Sequence, residues 1–511
     1  MSNGVPLPGI EHVIVLMLEN RSFDNVFGGL YPELTKQPPV QTHYRGLLGN
    51  ESNQIWPGGP PVTVFQGLPD DDSTYTMPYP DPGELYTDMV EQIFGSQSAP
   101  TAGTPATMSG FAWNYFQQPP STDGVWPKPK DIMQYYSPQT MPVSAYLATQ
   151  YAVCDYWFAS GPVQTIANRV FTHCGTPSKF PNSYMSRVNN PDFTKDWWHP
   201  LTPPVTDCTI FKLLDDKFGQ SPLTWKVYYH DAPLSALCEY VYQNWDYTSW
   251  SGGNVWSFEP DSWTGDPGFA SDVQNGLLPR YSYIEPRYTN HSDDPLVYPN
   301  PNSNHPGGSQ VNWLNFNGEY YPPPVDVRYG EIFLCNVYSI LLNNPEVFAK
   351  TLLIVTYDEH GGLYDHVRPP SATSPFTGRI DNFKYDRYGV RVPTILINPF
   401  IKPGTIYPPR DPKDEIVNRP FDHTSILSTL MAQFGLSGSL SPRVDSAPQL
   451  TGLIPATTVV YQRPPLVCPQ PPTAIRRIQI PRSQPQPLPR AHTLAGALGP
   501  LYQLRSRRTR R

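Results

Sequence analysis

The sequence predicts an α/β fold: a mostly parallel sheet flanked by helices, with long Pro- and aromatic-rich loop insertions. Three observations carry this. Two apolar runs, at 13–18 and 352–357, are continuous rather than alternating, as in strands buried on both faces. A helical pattern at 326–342 precedes the second run, which is the order of a parallel βαβ unit. Both runs stop abruptly in polar residues, Glu19-Asn20 and Asp358-Glu359-His360, where open α/β sheets carry their working groups.

Taken in order, 10–18 (IEHVIVLML) is a first buried strand running into Glu19-Asn20-Arg21-Ser22-Phe23-Asp24. Glu19 and Asn20 there are either oxygen donors projected into a cleft or a strand-ending turn with an N-cap. Residues 37–129 read as loops with one short helix near 83–94. Residues 143–158 predict a helix running into a short strand or turn at Cys154-Asp155. Gly161, Pro162 and Thr165 before a helix-compatible run mark a helix start. Free N–H groups at such a start suit a phosphate or a nucleophile, and Thr165 is equally readable as a plain N-cap.

Further on, 208–218 has helical periodicity, and 224–229 and 280–284 read as strands. A polar loop at 290–324 carries His291 and His305. The helix at 326–342 leads through Asn343-Asn344-Pro345 into the central strand. Another buried strand is expected at 389–399, and a helix at 421–434 opened by Asp422 with His423 in its first turn. Residues 1–462 form the expected catalytic domain. Past that point the chain becomes Pro-, Gln- and Arg-rich, and 463–511 is expected to be a disordered tail.

Composition bounds the chemistry. Of 511 residues 64 are proline, more than twice the usual share of about 5%. Scattered in pairs among aromatics, they predict stiffened loops on a compact core. Net charge is −8, and nine arginines after Val467 leave −17 on the remainder. A body that acidic excludes nucleic acid bound through a basic face and suits cation chelation. The Arg-rich end invites a peripheral contact with anionic lipid, although a solvated end explains it as well. Six cysteines without a CxxC pair exclude a zinc finger and allow one or two disulfides of unassigned pairing. With no basic-then-apolar leader and no apolar run of about 18 residues, a cytoplasmic or peripheral address is expected, without excluding secretion.

Four hard oxygen donors at two strand ends would repel one another, and a cation removes that repulsion. Oxygen-dominated ligation suits Ca²⁺, Mg²⁺ or Mn²⁺, whereas added histidines move the preference toward Zn²⁺ or Fe. His360 and His366 are readable as ligands, as supports for ligands, as leaving-group acids, or as satisfied structural histidines. Gly361-Gly362 let the backbone turn tightly beside them.

Five runs occur in one order: ENRSFDNVFGG from Glu19, TxxNR from Thr165 through Asn168 to Arg169, TYDEHGGLYDHV from Thr356, GVRVP from Gly389 and FDHTSIL from Phe421. Together they resemble the phosphoesterase family of non-specific phospholipases C and related acid phosphatases, over roughly 10–436. The resemblance implies an alkaline-phosphatase-like core that hydrolyses phosphate esters at a divalent metal. It implies Glu19, Asn20, Asp358 and Glu359 as ligands, with Thr165 as nucleophile also touching the metal. Asn20, Glu84, Asn168 and His360 are then expected at the substrate, and His305 or His366 as the leaving-group acid.

The chain departs from the family pattern in three places. Ala167 replaces a proline before Asn168-Arg169. His305-Pro306 stands about 20 residues ahead of Asp326-Val327, as if a loop were inserted. Glu84 stands where a histidine is usual. Phospholipase C-type cleavage is the leading expectation, with an acid phosphatase for soluble monoesters as the alternative. A catalytically silent binding protein on the same scaffold is disfavoured because every expected ligand is retained.

Overall fold

A computed structural model describes residues 5–32, 44–96, 98, 100, 104–121, 124–177, 209–231, 233–245, 253–260, 267–288, 301–307, 325–376, 384–408, 420–456 and 459–472. His291, Cys208, most of the 290–324 loop and the tail beyond 472 lie outside these residues.

Eight strands form the main sheet: β1 (His12–Leu18), β2 (Ala152–Cys154), β3 (Trp225–Tyr229), β4 (Val255–Ser257), β5 (Tyr281–Glu285), β6 (Thr351–Tyr357), β7 (Thr394–Ile397) and β8 (Thr405–Tyr407). Their order is β8-β2-β7-β6-β1-β5-β3-β4. All pairings are parallel except the two made by β7, which runs against β6 and β2. The expected mostly parallel sheet is therefore present, with one reversed strand inside it.

The two continuous apolar runs are neighbours. β1 and β6 pair in parallel along their whole length, from His12 opposite Thr351 to Leu18 opposite Tyr357. In-register parallel pairing brings the residues after Leu18 and after Tyr357 out at one sheet edge together. Every residue of β6 is buried, as are six of the seven in β1. This two-sided burial is why neither run alternates.

Helices cover the sheet. Those that matter to the site are α1 (Phe23–Phe27), α2 (Tyr86–Phe94), α3 (Phe111–Phe116), α4 (Pro142–Gln150), α5 (Thr165–Cys174), α6 (Ile210–Phe218), α7 (Val327–Leu342) and α8 (His423–Phe434). All ten residues of α5 are buried, and α8 packs against it. α7 is the expected crossover between β5 and β6, with Asp326 capping it through the Arg328 N–H. α2 starts at Tyr86, so Glu84 lies in its extended approach rather than inside the helix.

Residues 459–472, partly assigned by the sequence to the tail, lie against this body. The Arg463 guanidinium donates to the carbonyls of Gln150, Pro399 and Ile401. Cys468 is disulfide-bonded to Cys335 on α7, which supplies the pairing that the sequence left open. Cys154 and Cys238 are buried free thiols, and Cys174 is buried.

Candidate active site

Asn20 leaves β1 in the left-handed region, at φ +55°, a conformation that Asn tolerates better than most residues. Its backbone N–H donates to Asp358 Oδ1 at 3.0 Å. Its side chain connects three segments. Nδ2 donates to Glu359 Oε1 at 2.7 Å and to Glu84 Oε1 at 2.5 Å, and Oδ1 accepts from the Thr165 hydroxyl at 3.2 Å. The approach is tight: a Cβ on Gly361 (φ +61°) would collide with the Asn20 carbonyl.

Thr165 is the first residue of α5, and the side chain of the preceding Gln164 does not cap that start. Thr165 therefore stands at the positive end of the helix dipole, in the turn whose N–H groups have no intrahelical acceptor. One turn on, Arg169 Nε donates to Asp358 Oδ2 at 3.0 Å, and its Nη2 lies 3.9 Å from Glu19 Oε1. The opposite side of the Asp358 backbone is held by His423, whose Nε2 meets the Asp358 carbonyl at 2.7 Å.

Glu19 and Glu359 are pushed well above the usual carboxylate range by burial. Arg169 opposes the shift at Glu19, and Asp358 adds to it at Glu359. Glu84 is raised well above that range too, by burial and then by Asp81 and Glu359. Both Glu19 carboxylate oxygens are buried without a hydrogen-bond partner among the described residues. Burying a charge that way costs several kcal/mol unless something compensates it. Orphaned carboxylate oxygens are the donor type that a hard divalent cation takes.

The fit is uneven. Asp358 Oδ1 already accepts from the Asn20 and Glu359 N–H groups, and Oδ2 from Arg169. The Arg169 guanidinium therefore takes part of the neutralising role expected of a metal. Among the described residues, two trios bring one ligand atom each within 4.8 Å: Asp24, Asp365 and His366, and Asp81, Glu84 and His305. The expected carboxylates Glu19, Asp358 and Glu359 are in neither trio.

The other expected residues divide between roles. His305 joins the network, with Nε2 3.6 Å from Glu84 Oε1, and burial lowers its pKa to about 4. His366 does not join it. Its Nδ1 pairs with Asp24 at 2.7 Å, and Arg391 bridges Asp24 and Asp365 at 2.9 Å each. Asn168 is turned inward: its amide exchanges hydrogen bonds with Gly161 and donates to the Val163 carbonyl. That shapes the loop before Thr165 and leaves no amide group for a substrate. His360 is likewise internal, bonded through Nε2 to Gln92 on α2 at 2.8 Å, with burial lowering its pKa to about 3.

Asp81 was not anticipated. A carboxylate three residues before Glu84, across a Pro-Gly turn, is the signal that was there to read. Arg169 was visible only as part of a motif, and its pairing with Asp358 depends on a contact 189 residues apart.

Residues 10–437 match the model of the phosphoesterase family. The chain is 30% identical over 443 residues to non-specific phospholipase C1 of Arabidopsis thaliana, covering 86% of this chain and 69% of that protein. It is 27% identical over 462 residues to phospholipase C A of Mycobacterium tuberculosis (strain ATCC 25618 / H37Rv), covering 84% and 75%. Among solved structures, a protein of the alkaline phosphatase superfamily from Vibrio parahaemolyticus aligns over 61% of this chain and 64% of its own. That alignment has 13% identity and a TM-score of 0.31.

Proposed function

We propose, for a chain that belongs to the phosphoesterase family, that Thr165 is the nucleophile of a phospholipase C-type hydrolysis of phospholipid head groups. The carrying observation is the hydrogen bond from the Thr165 hydroxyl to Asn20, at the start of a buried helix and beside the ends of β1 and β6.

The Thr165 hydroxyl gives up its proton as its oxygen attacks phosphorus, a P–O bond to threonine forms, the P–O bond to the diacylglycerol oxygen breaks, and that oxygen takes up a proton and leaves as diacylglycerol. Water then hydrolyses the phosphothreonine, releasing the phosphorylated head group and restoring the hydroxyl. Asn20 orients the nucleophile. The first-turn N–H groups of α5 are donors for the non-bridging oxygens. Arg169 and His423 act on Asp358 and hold the end of β6 rigid. The departing oxygen needs a positive partner, and the Asp81–Glu84–His305 cluster beside Asn20 is the place for one.

The residues that would hold a divalent cation are Glu19, Asn20, Thr165, Asp358 and Glu359. When bound, it lowers the hydroxyl pKa and screens phosphate charge. The Cys335–Cys468 disulfide supports an oxidising compartment over the cytoplasmic address read from the sequence. Among the described residues no helix is long and apolar enough to cross a membrane.

The test compares phosphatidylcholine with p-nitrophenyl phosphate as substrates for the wild type and for Thr165→Ala. Preference for the diester, lost in the variant, supports the reading. Preference for the soluble monoester assigns the chain to the phosphatase branch instead.

A further inference from the structure

Asp81, Glu84 and His305 come from two distant segments and meet beside Asn20. One ligand atom from each lies within 4.8 Å of the others. The meeting is built. Gly307, at φ +79°, lets the His305 turn pack onto Asp81, and a Cβ there would stand 2.8 Å from Asp81 Oδ1. Glu84 and His305 are both more than nine-tenths buried.

The hydrogen-bond pattern defines the imidazole. His305 Nδ1 meets the Pro306 carbonyl at 2.5 Å, and a carbonyl can only accept, so Nδ1 carries the hydrogen. Nε2 is then the ligating nitrogen, and it faces Glu84 Oε1 at 3.6 Å. A ring that donates one N–H to a backbone carbonyl and turns its other nitrogen toward a carboxylate has the orientation of a metal-bound histidine. Two donors on a tetrahedral ion with bonds of 2.0–2.2 Å stand about 3.3–3.6 Å apart, so this separation already suits a shared ion.

The charges around the trio are not balanced from within. Asp81 Oδ1 is buried without a hydrogen-bond partner among the described residues, on the side facing His305 Nδ1 at 3.8 Å. The nearby Arg21 guanidinium donates to the carbonyls of Asn304 and Met77 and to the Tyr136 hydroxyl, so its charge reaches Asp81 only through space, where it opposes the rise of that carboxyl's pKa. The comparison inside the same molecule is the Asp24–Asp365–His366 trio, where Arg391 bridges both carboxylates and supplies the missing charge.

We propose that Asp81, Glu84 and His305 form a second divalent-cation site, distinct from the one assigned to Glu19, Asn20, Thr165, Asp358 and Glu359, and joined to it through the Asn20 amide. The mixed nitrogen and oxygen donors select Zn²⁺ or Fe²⁺ over Ca²⁺, Mg²⁺ or Mn²⁺.

The experiment strips metal from the full-length chain and titrates Zn²⁺ by calorimetry into the wild type, Asp81→Asn and Glu19→Gln. The wild type is expected to bind two equivalents, and each variant one. If the wild type binds one equivalent, Asp81→Asn none and Glu19→Gln one, this site stands and the metal assignment at Glu19 fails. An unchanged stoichiometry and affinity in Asp81→Asn overturns the site. X-ray absorption on the Zn²⁺-loaded wild type gives a readout free of any folding defect in a variant. Imidazole scattering is expected, because His305 is the only imidazole in either ligand set, and a zinc shell of oxygen alone overturns the proposal.

Discussion

The Thr165 hydroxyl donates to Asn20 Oδ1 at 3.2 Å across 145 residues of sequence, and the same Asn20 amide holds Glu84 and Glu359. One side chain thereby links the start of α5, the ends of β1 and β6, and the approach to α2. The predictions begin from that link.

Thr165→Ala should reduce kcat by about 10⁴-fold or more, about 5 kcal/mol of barrier, with an unchanged circular dichroism spectrum. Thr165→Ser, which keeps a hydroxyl, should retain measurable turnover. Full activity in the alanine variant removes Thr165 from the chemistry.

Asn20→Ala should lower kcat by about 10²–10³-fold, the range seen when one transition-state donor is lost. It should also cost the fold about 1–2 kcal/mol, because alanine is a poor occupant of a left-handed backbone position. Rates from steady-state kinetics and melting temperatures check the two effects separately.

Exhaustive chelation should lower both activity and melting temperature, and added divalent metal should restore both. A site filled at 100 times its Kd contributes about 2.7 kcal/mol to stability. A protein indifferent to chelators has no use for a bound cation.

Much of this arrangement was legible in the chain. A strand buried on both faces has to be apolar throughout, so 13–18 and 352–357 announced themselves, and the residues just past them were the residues to examine. Thr165 stood out as a nucleophile only through the family resemblance, because a hydroxyl at a helix start reads as well as a plain N-cap; it lies at the first position of α5. What stayed hidden depends on long-range contacts. The reversed direction of β7 leaves no mark on its own apolar run. Asn168 carries an amide that looks available in a motif, yet the fold spends it on Gly161 and Val163, while His360 gives Nε2 to Gln92 and turns Nδ1 toward Glu359 at 3.4 Å. Sequence spacing could not show Arg169 standing between Glu19 and Asp358, nor Arg391 between Asp24 and Asp365.

The Arg391 pairing gives a stability prediction away from the chemistry. Its guanidinium is fully buried between two carboxylates, so Arg391→Ala should cost about 3–5 kcal/mol in denaturant unfolding. A change below 1 kcal/mol would mean that the two carboxylates find another partner.

His366 gives a pH prediction. Burial alone would lower its pKa, but Asp24 outweighs burial and raises it, while His366 and Arg391 outweigh burial at Asp24 and lower that carboxyl. A histidine whose folded pKa is raised stabilises fully below its unfolded value of about 6.5, and the contribution fades as pH rises through the raised value. The loss of melting temperature in His366→Gln should therefore be largest near about pH 6 and shrink by about pH 9. A gap that widens toward alkaline pH would reverse the assignment.

The most direct measurement is a rapid acid quench of the wild-type enzyme turning over phosphatidylcholine labelled in its phosphate, followed by peptide mapping. Label is predicted on the peptide containing Thr165, and on that residue. Turnover that leaves the peptide unlabelled, or label on another side chain, would contradict it.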